Sequence, residues 1–146
     1  MTIALGSDHA GFQLKNKIIE LLKNKGINTI DKGTYSEESC DYPDYAHAVA
    51  ESIENKDSEL GIIMCGSGNG INIAANKHQQ IRSALAWDVE IAKLARQHND
   101  ANILALPARF ISEEKALQIV EAFLNETFEG GRHQKRIDKI QLKVKS

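Results

Sequence analysis

Only two cysteines, two prolines and one tryptophan occur in the chain. Cys40 and Cys65 stand alone, and with the histidines they make no close C-x-x-C or H-x-x-x-H pattern, so neither a disulfide framework nor a metal site is read and both thiols are expected free. The prolines, Pro43 and Pro107, fall outside the predicted helices and strands, and no repeat, low-complexity tract or linker separates one part of the chain from another. Long hydrophobic runs are missing too. No 18 apolar residues occur together, and the N-terminus, Met-Thr-Ile-Ala-Leu-Gly, lacks a basic region followed by an apolar stretch, so no membrane association is expected and the protein is placed in the cytoplasm. Charge of one sign is also lacking: 18 Lys and Arg against 20 Asp and Glu leave a net charge of -2. That balance gives no general attraction to nucleic acid, and any anion site must be local.

What the chain does have is alternation. Short apolar runs predict strands at residues 2–5, 27–31, 60–64, 83–86 and 103–106. Between them, apolar residues recur at helical spacing: Leu14, Ile18, Leu21 and Leu22 before a stop at Lys25-Gly26; Tyr45, Ala46, Val49, Ala50 and Ile53; Ile91, Ala92, Leu94 and Ala95; and Ala116, Leu117, Val120, Phe123 and Leu124 after the N-cap Ser112. Right-handed βα crossovers then give an α/β fold, a five-stranded parallel sheet with helices on both faces, in one domain spanning 1–146. Ligands are expected beyond the carboxyl ends of the strands.

Residues 60 to 70 carry the sharpest chemical signal. A charge-free strand runs into Cys65 and then three glycines, Gly66, Gly68 and Gly70, which allow successive peptide N–H groups to turn toward one point before a helix begins near Ile71. A thiol placed there can act as base or nucleophile beside donors suited to an anion, although a buried cysteine is also a common core filler. Asp8-His9 follow the first strand, where Asp8 could contact a ligand or merely cap the next helix. His98, at a helix end, is either a general acid or a cation near a helix C-terminus. Arg132 and Arg136 are four apart, so on a helix they could clamp one phosphate, or belong to an ordinary solvated basic face. Arg109 alone is a weak signal, His47, His78 and His133 show no usable arrangement, and Trp87 either lines the pocket or covers the sheet. The basic tail carries Ile137, Ile140 and Val144 on one stripe, which predicts a C-terminal helix over about 131–146 packing on a partner subunit. Other motifs fail: Ile71 stands where a dinucleotide fingerprint needs its last glycine, and no Gly-Lys-Ser/Thr is present.

Six segments in order, Gly6-Ser7-Asp8-His9-Ala10-Gly11, Asp41-Tyr42-Pro43-Asp44-Tyr45, Cys65-Gly66-Ser67-Gly68-Asn69-Gly70, Ala74-Ala75-Asn76-Lys77, Arg96 to Asn102 and Glu129 to His133, make the chain resemble the ribose-5-phosphate isomerase B family, within the group that includes galactose-6-phosphate and allose-6-phosphate isomerases. The resemblance implies a Rossmann-like three-layer subunit, a homodimer or tetramer with shared active sites, a sugar phosphate as substrate, and no metal or organic cofactor. It implies roles as well. Cys65 would be the base, the backbone of Gly66 to Gly70 with Asn69 would hold the enediolate, and Ser67 would move a proton between sugar oxygens. His98 would open the cyclic sugar, reaching in from the partner with Asn99 and Arg109; Asp8 and His9 would contact substrate, and Arg132 and Arg136 the phosphate. Retention of Cys65 favours a five-carbon sugar. A six-carbon sugar phosphate, a non-catalytic phosphosugar-binding module and a dinucleotide-dependent oxidoreductase are the alternatives.

Overall fold

The structure, a computed structural model, describes residues 1–143. Five strands, β1 (Thr2–Ser7), β2 (Asn28–Asp31), β3 (Leu60–Cys65), β4 (Ser83–Leu85) and β5 (Ile103–Pro107), form one all-parallel sheet in the order β2-β1-β3-β5-β4. Among the described residues, a 3-10 turn (His9–Gly11) and six α-helices accompany them: α1 (Phe12–Asn24), α2 (Tyr42–Glu54), α3 (Asn69–Ala75), α4 (Val89–Asn99), α5 (Glu113–Asn125) and α6 (Arg132–Asp138). The expected α/β architecture is therefore what the chain adopts, with β3 at the centre of the sheet.

Side-chain alternation along the three inner strands makes the layers. Ile3, Leu5, Ile62, Met64, Leu104 and Leu106 join Ile18 and Leu22 of α1, Ala92 and Ala95 of α4, and Ile119, Val120 and Phe123 of α5 in one buried cluster. Ala4, Ile63, Cys65, Ile103 and Ala105 meet Ala46, Val49 and Ala50 of α2 and Ile71, Ala74 and Ala75 of α3 on the opposite face. Because a strand's side chains alternate with period two, a run apolar at every position is the mark of a strand covered on both sides.

Helix ends follow their local chemistry. Gly26, at φ +74, follows the C-cap of α1, and the Ser112 hydroxyl accepts from the Lys115 N–H at 3.0 Å to open α5. Pro43 lies inside α2 rather than outside it, near its start, where a missing N–H costs no helical bond. Pro107 likewise closes β5 instead of following it. The C-terminal helix is much shorter than its apolar stripe suggested: α6 ends at Asp138, with Ile137 buried and Ile140 56% exposed. Val144 and Lys145, in the remainder of that stripe and tail, lie outside the described residues. No helix among the described residues is long and apolar enough to cross a membrane.

Candidate active site

β1 leads outward to β2 on one side, while β3 leads to β5 and β4 on the other, so the chain changes direction between β1 and β3. Adjacent strands whose connections diverge leave a crevice at their carboxyl ends, the usual ligand site of open parallel sheets. The loops after β1, β3 and β5 are tied together there. Asp8 N–H donates to the Met64 carbonyl at 3.3 Å, Ala108 N–H to the Cys65 carbonyl at 2.9 Å, and Arg109 N–H to the Gly66 carbonyl at 3.0 Å. Three clusters scattered in the sequence thereby meet at one edge.

Cys65 is the last residue of β3 and is 4% exposed, with its side chain in the cluster formed with α2 and α3. The next residues form a tight turn: Gly68, at φ +77, adopts the left-handed conformation from which α3 starts at Asn69. Ser67 and Asn69 are exposed, and the Ser67 hydroxyl accepts from the Asn69 N–H at 3.2 Å. Close approach explains the other glycines. A Cβ on Gly66 would stand 3.2 Å from Arg109 Nη1, and one on Gly70 would overlap the Tyr42 ring.

Asp8 does act as a cap, its Oδ1 accepting from the Ala10 and Gly11 N–H groups at 3.0 and 3.3 Å. That bonding fixes His9 beside it. His9 Nδ1 accepts the Cys40 N–H at 3.2 Å, and a neutral ring that accepts at Nδ1 carries its proton on Nε2. Trp87, exposed by 55%, lines a cleft of about 300 Å³ with Ser67, Asn69, Leu85, Pro107 and Phe110. It borders the glycine loop.

His98, Asn99, Arg132 and Arg136 are elsewhere. α4 runs back along the sheet, and its last turn reaches the edge where strands begin: the Asn99 carbonyl accepts from Nε of Arg82, immediately before β4, at 2.9 Å. His98 stacks on His133, with centroids 4.3 Å apart, and α6 packs against α4 there. Arg132 and Arg136 are both exposed on α6. Arg109 departs from the expected grouping with His98 and Asn99, because it follows β5 and lies over Gly66 on the Cys65 edge. At the other end of α4, Asp88 is the N-cap; the Val89 N–H, first, and then Lys115 hold its carboxyl below the ordinary aspartate range.

Sequence reasoning gave no role to Tyr42, Glu129 or His133. Tyr42 could have been suspected from its place in a matched motif, but its contact with Gly70 is a tertiary fact. Glu129 and His133 are four apart, and only the fold brings His98 to them.

A sequence profile described as Ribose/Galactose Isomerase matches residues 3–140. The chain belongs to that family. Within the ribose/galactose isomerases it is 47% identical over 138 residues to ribose-5-phosphate isomerase B of Escherichia coli K12, covering 94% of this chain and 93% of the relative. A solved structure of a ribose 5-phosphate isomerase from Thermotoga maritima superposes with a TM-score of 0.94 at 53% identity, covering 96% and 97% of the two chains. Ribose-5-phosphate isomerase B from Mycoplasma genitalium, solved with bound ribulose-5-phosphate, gives 0.91 at 47% identity, covering 95% and 93%.

Proposed function

We propose that the protein interconverts ribose 5-phosphate and ribulose 5-phosphate through an enediolate, with Cys65 as the base. The observation that carries this reading is the position of Cys65 at the carboxyl end of the central strand, directly before the Gly66–Gly70 turn. Family membership and the relatives' names supply the reaction; the residue roles follow from the chemistry.

A thiolate takes the C2 proton of the open-chain aldose, and the negative charge moves onto O1. Peptide N–H groups of the glycine loop are the donors for that charge, and donors held by a folded loop lower the barrier in a way a mobile solvent cannot; losing one such donor typically costs about 100- to 1,000-fold. The Ser67 hydroxyl passes a proton between O2 and O1, and Cys65 returns its proton to C1, giving the ketose. His9 and Asp8 orient the sugar. Arg132 and Arg136, one turn apart on α6, grip the phosphate by charge-assisted hydrogen bonds, so that binding energy far from C2 fixes it near the sulfur.

His98 cannot serve the Cys65 of its own chain, because a six-residue strand separates their two edges by about 20 Å. The working site is therefore shared between two copies: Cys65, its loop and Arg109 come from one, and His98, Asn99, Arg132 and Arg136 from the other. This pairing also gives the exposed α6 face and the basic tail a surface to cover.

Turnover measured across pentose and hexose phosphates tests the reading, together with solvent deuterium entering C2 of recovered ribose 5-phosphate and C1 of the ribulose 5-phosphate formed. Cys65→Ala is expected to fold normally and lose at least about 100-fold in rate. Full turnover in that variant ends the proposal, and so does a Cys65 sulfur that no thiol reagent reaches in the native enzyme and that substrate does not protect.

A further inference from the structure

His98 and His133 face each other where α4 meets α6, their planes only 13° apart, with Glu129 beside both rings. Glu129 Oε1 lies 3.9 Å from His98 Nε2 and 3.5 Å from His133 Nε2. One donor atom from each of the three residues falls within 4.8 Å of the others. The turn that creates this arrangement is unusual: Gly130 and Gly131 both take positive φ, +69 and +57, and fold Glu129 back over the start of α6.

We propose that His98, Glu129 and His133 form a site for a divalent transition-metal ion, Zn²⁺ foremost, whose binding withdraws His98 from catalysis. Two imidazoles and one carboxylate with an open fourth position are a donor set that suits Zn²⁺, whereas Mg²⁺ and Ca²⁺ favour oxygen alone. Ligand bonds of about 2.0–2.2 Å at tetrahedral angles bring donor atoms to roughly 3.3–3.5 Å from one another, so the two contacts to Glu129, at 3.5 and 3.9 Å, need to close by less than about 1 Å, while the exposed His98 ring must also turn out of its stack on His133 for both Nε2 lone pairs to meet one point. His133 is 8% exposed in its side chain and is held by packing, while His98 and Glu129, at 37% and 52%, are open to an incoming ion. A fixed ligand with two accessible ones costs less ordering than three mobile side chains.

The consequence is specific to this chemistry. An imidazole must be neutral to ligate, and once its Nε2 is on a metal it has no proton there to give a sugar ring oxygen. Loss of activity upon metal binding rests on the role proposed for His98; the metal site itself does not.

The competing donors are sulfurs, since Cys40 Sγ lies 4.0 Å from His9 Nδ1. Calorimetry should therefore use full-length Cys40→Ser protein titrated with ZnCl₂, with CoCl₂ as a spectroscopic stand-in and MgCl₂ as the oxygen-seeking control. Expected are one zinc per chain at micromolar concentration, no magnesium binding, no thiolate-to-cobalt charge-transfer band, and at least tenfold weaker binding in both Glu129→Gln and His133→Asn. Glu129→Gln alters an exposed side chain and keeps the test decisive if His133→Asn does not fold. Unchanged zinc affinity in Glu129→Gln, or a thiolate band with cobalt, overturns the site. Turnover that continues undiminished with the site filled overturns the inhibition, and with it the assignment of His98, while leaving the metal site standing.

Discussion

Arg109 closes over Gly66: its peptide N–H donates to the Gly66 carbonyl at 3.0 Å, and its Nη1 lies 3.2 Å from where a Gly66 Cβ would project. A methyl group there meets the far end of a flexible side chain rather than backbone, so the fold can give way but the guanidinium must move. Gly66→Ala is expected to keep the native melting temperature to within a few degrees and to lower kcat/KM by about 10- to 100-fold, the penalty for a small displacement beside the reacting atoms. Unchanged kcat/KM would show that Arg109's seat over the loop has no bearing on turnover.

Gly68 answers to a different constraint. Its φ of +77 is left-handed, and a Cβ there would stand 2.5 Å from Leu85 Cδ1 and 3.1 Å from the Leu106 carbonyl. Backbone strain and overpacking act together, so Gly68→Ala is expected to cost about 2–4 kcal/mol in urea unfolding. A loss below about 0.5 kcal/mol would mean that the loop relaxes easily, and it would then be a poor candidate for a preorganised anion cradle.

The layered sheet was legible because its three inner strands are nearly continuous apolar runs and its helices are apolar on one stripe, patterns that do not depend on distant residues. Lys25-Gly26 and Ser112 marked helix ends for equally local reasons. Cys65 with its glycines could be found because a strand end, a thiol and closely spaced glycines are contiguous, although only Gly68 of the three takes positive φ. The strand pattern alone also puts Arg109 just after β5, on the carboxyl edge with Cys65; it is the resemblance that groups it with His98, whose own edge is set by the direction of α4. His133 could not be found this way, a residue without evident use in the sequence that proves to be buried against His98. The C-terminal stripe misled about length: its apolar residues keep helical spacing beyond Asp138, but α6 stops there and leaves Ile140 exposed.

Asp88 gives α4 a dependence on acidity. Its carboxyl is held below the usual range, chiefly by the Val89 N–H, and so binds a proton less readily in the folded chain than in the unfolded one. The resulting stability is present above the ordinary aspartate value of about 4 and is lost as pH falls through the lower, folded value. Asp88→Asn should therefore melt below the wild-type temperature near about pH 6, with the difference closing as both proteins are taken toward about pH 3. An equal gap at both values would assign the cap's contribution to geometry rather than charge.

The two-edge arrangement of Cys65 and His98 predicts a result that no single-chain site can produce. Cys65→Ala and His98→Ala are each expected to be nearly inactive as pure proteins. On the proposed shared site, mixing them after mild dissociation and reassociation is expected to give heterodimers in which one site combines the intact Cys65 of one subunit with the intact His98 of the other, while the second site lacks both. Random pairing makes half the dimers mixed, each with one working site of two, so recovered activity should approach about a quarter of wild type. A mixture no more active than its components would place both groups in the same subunit's site.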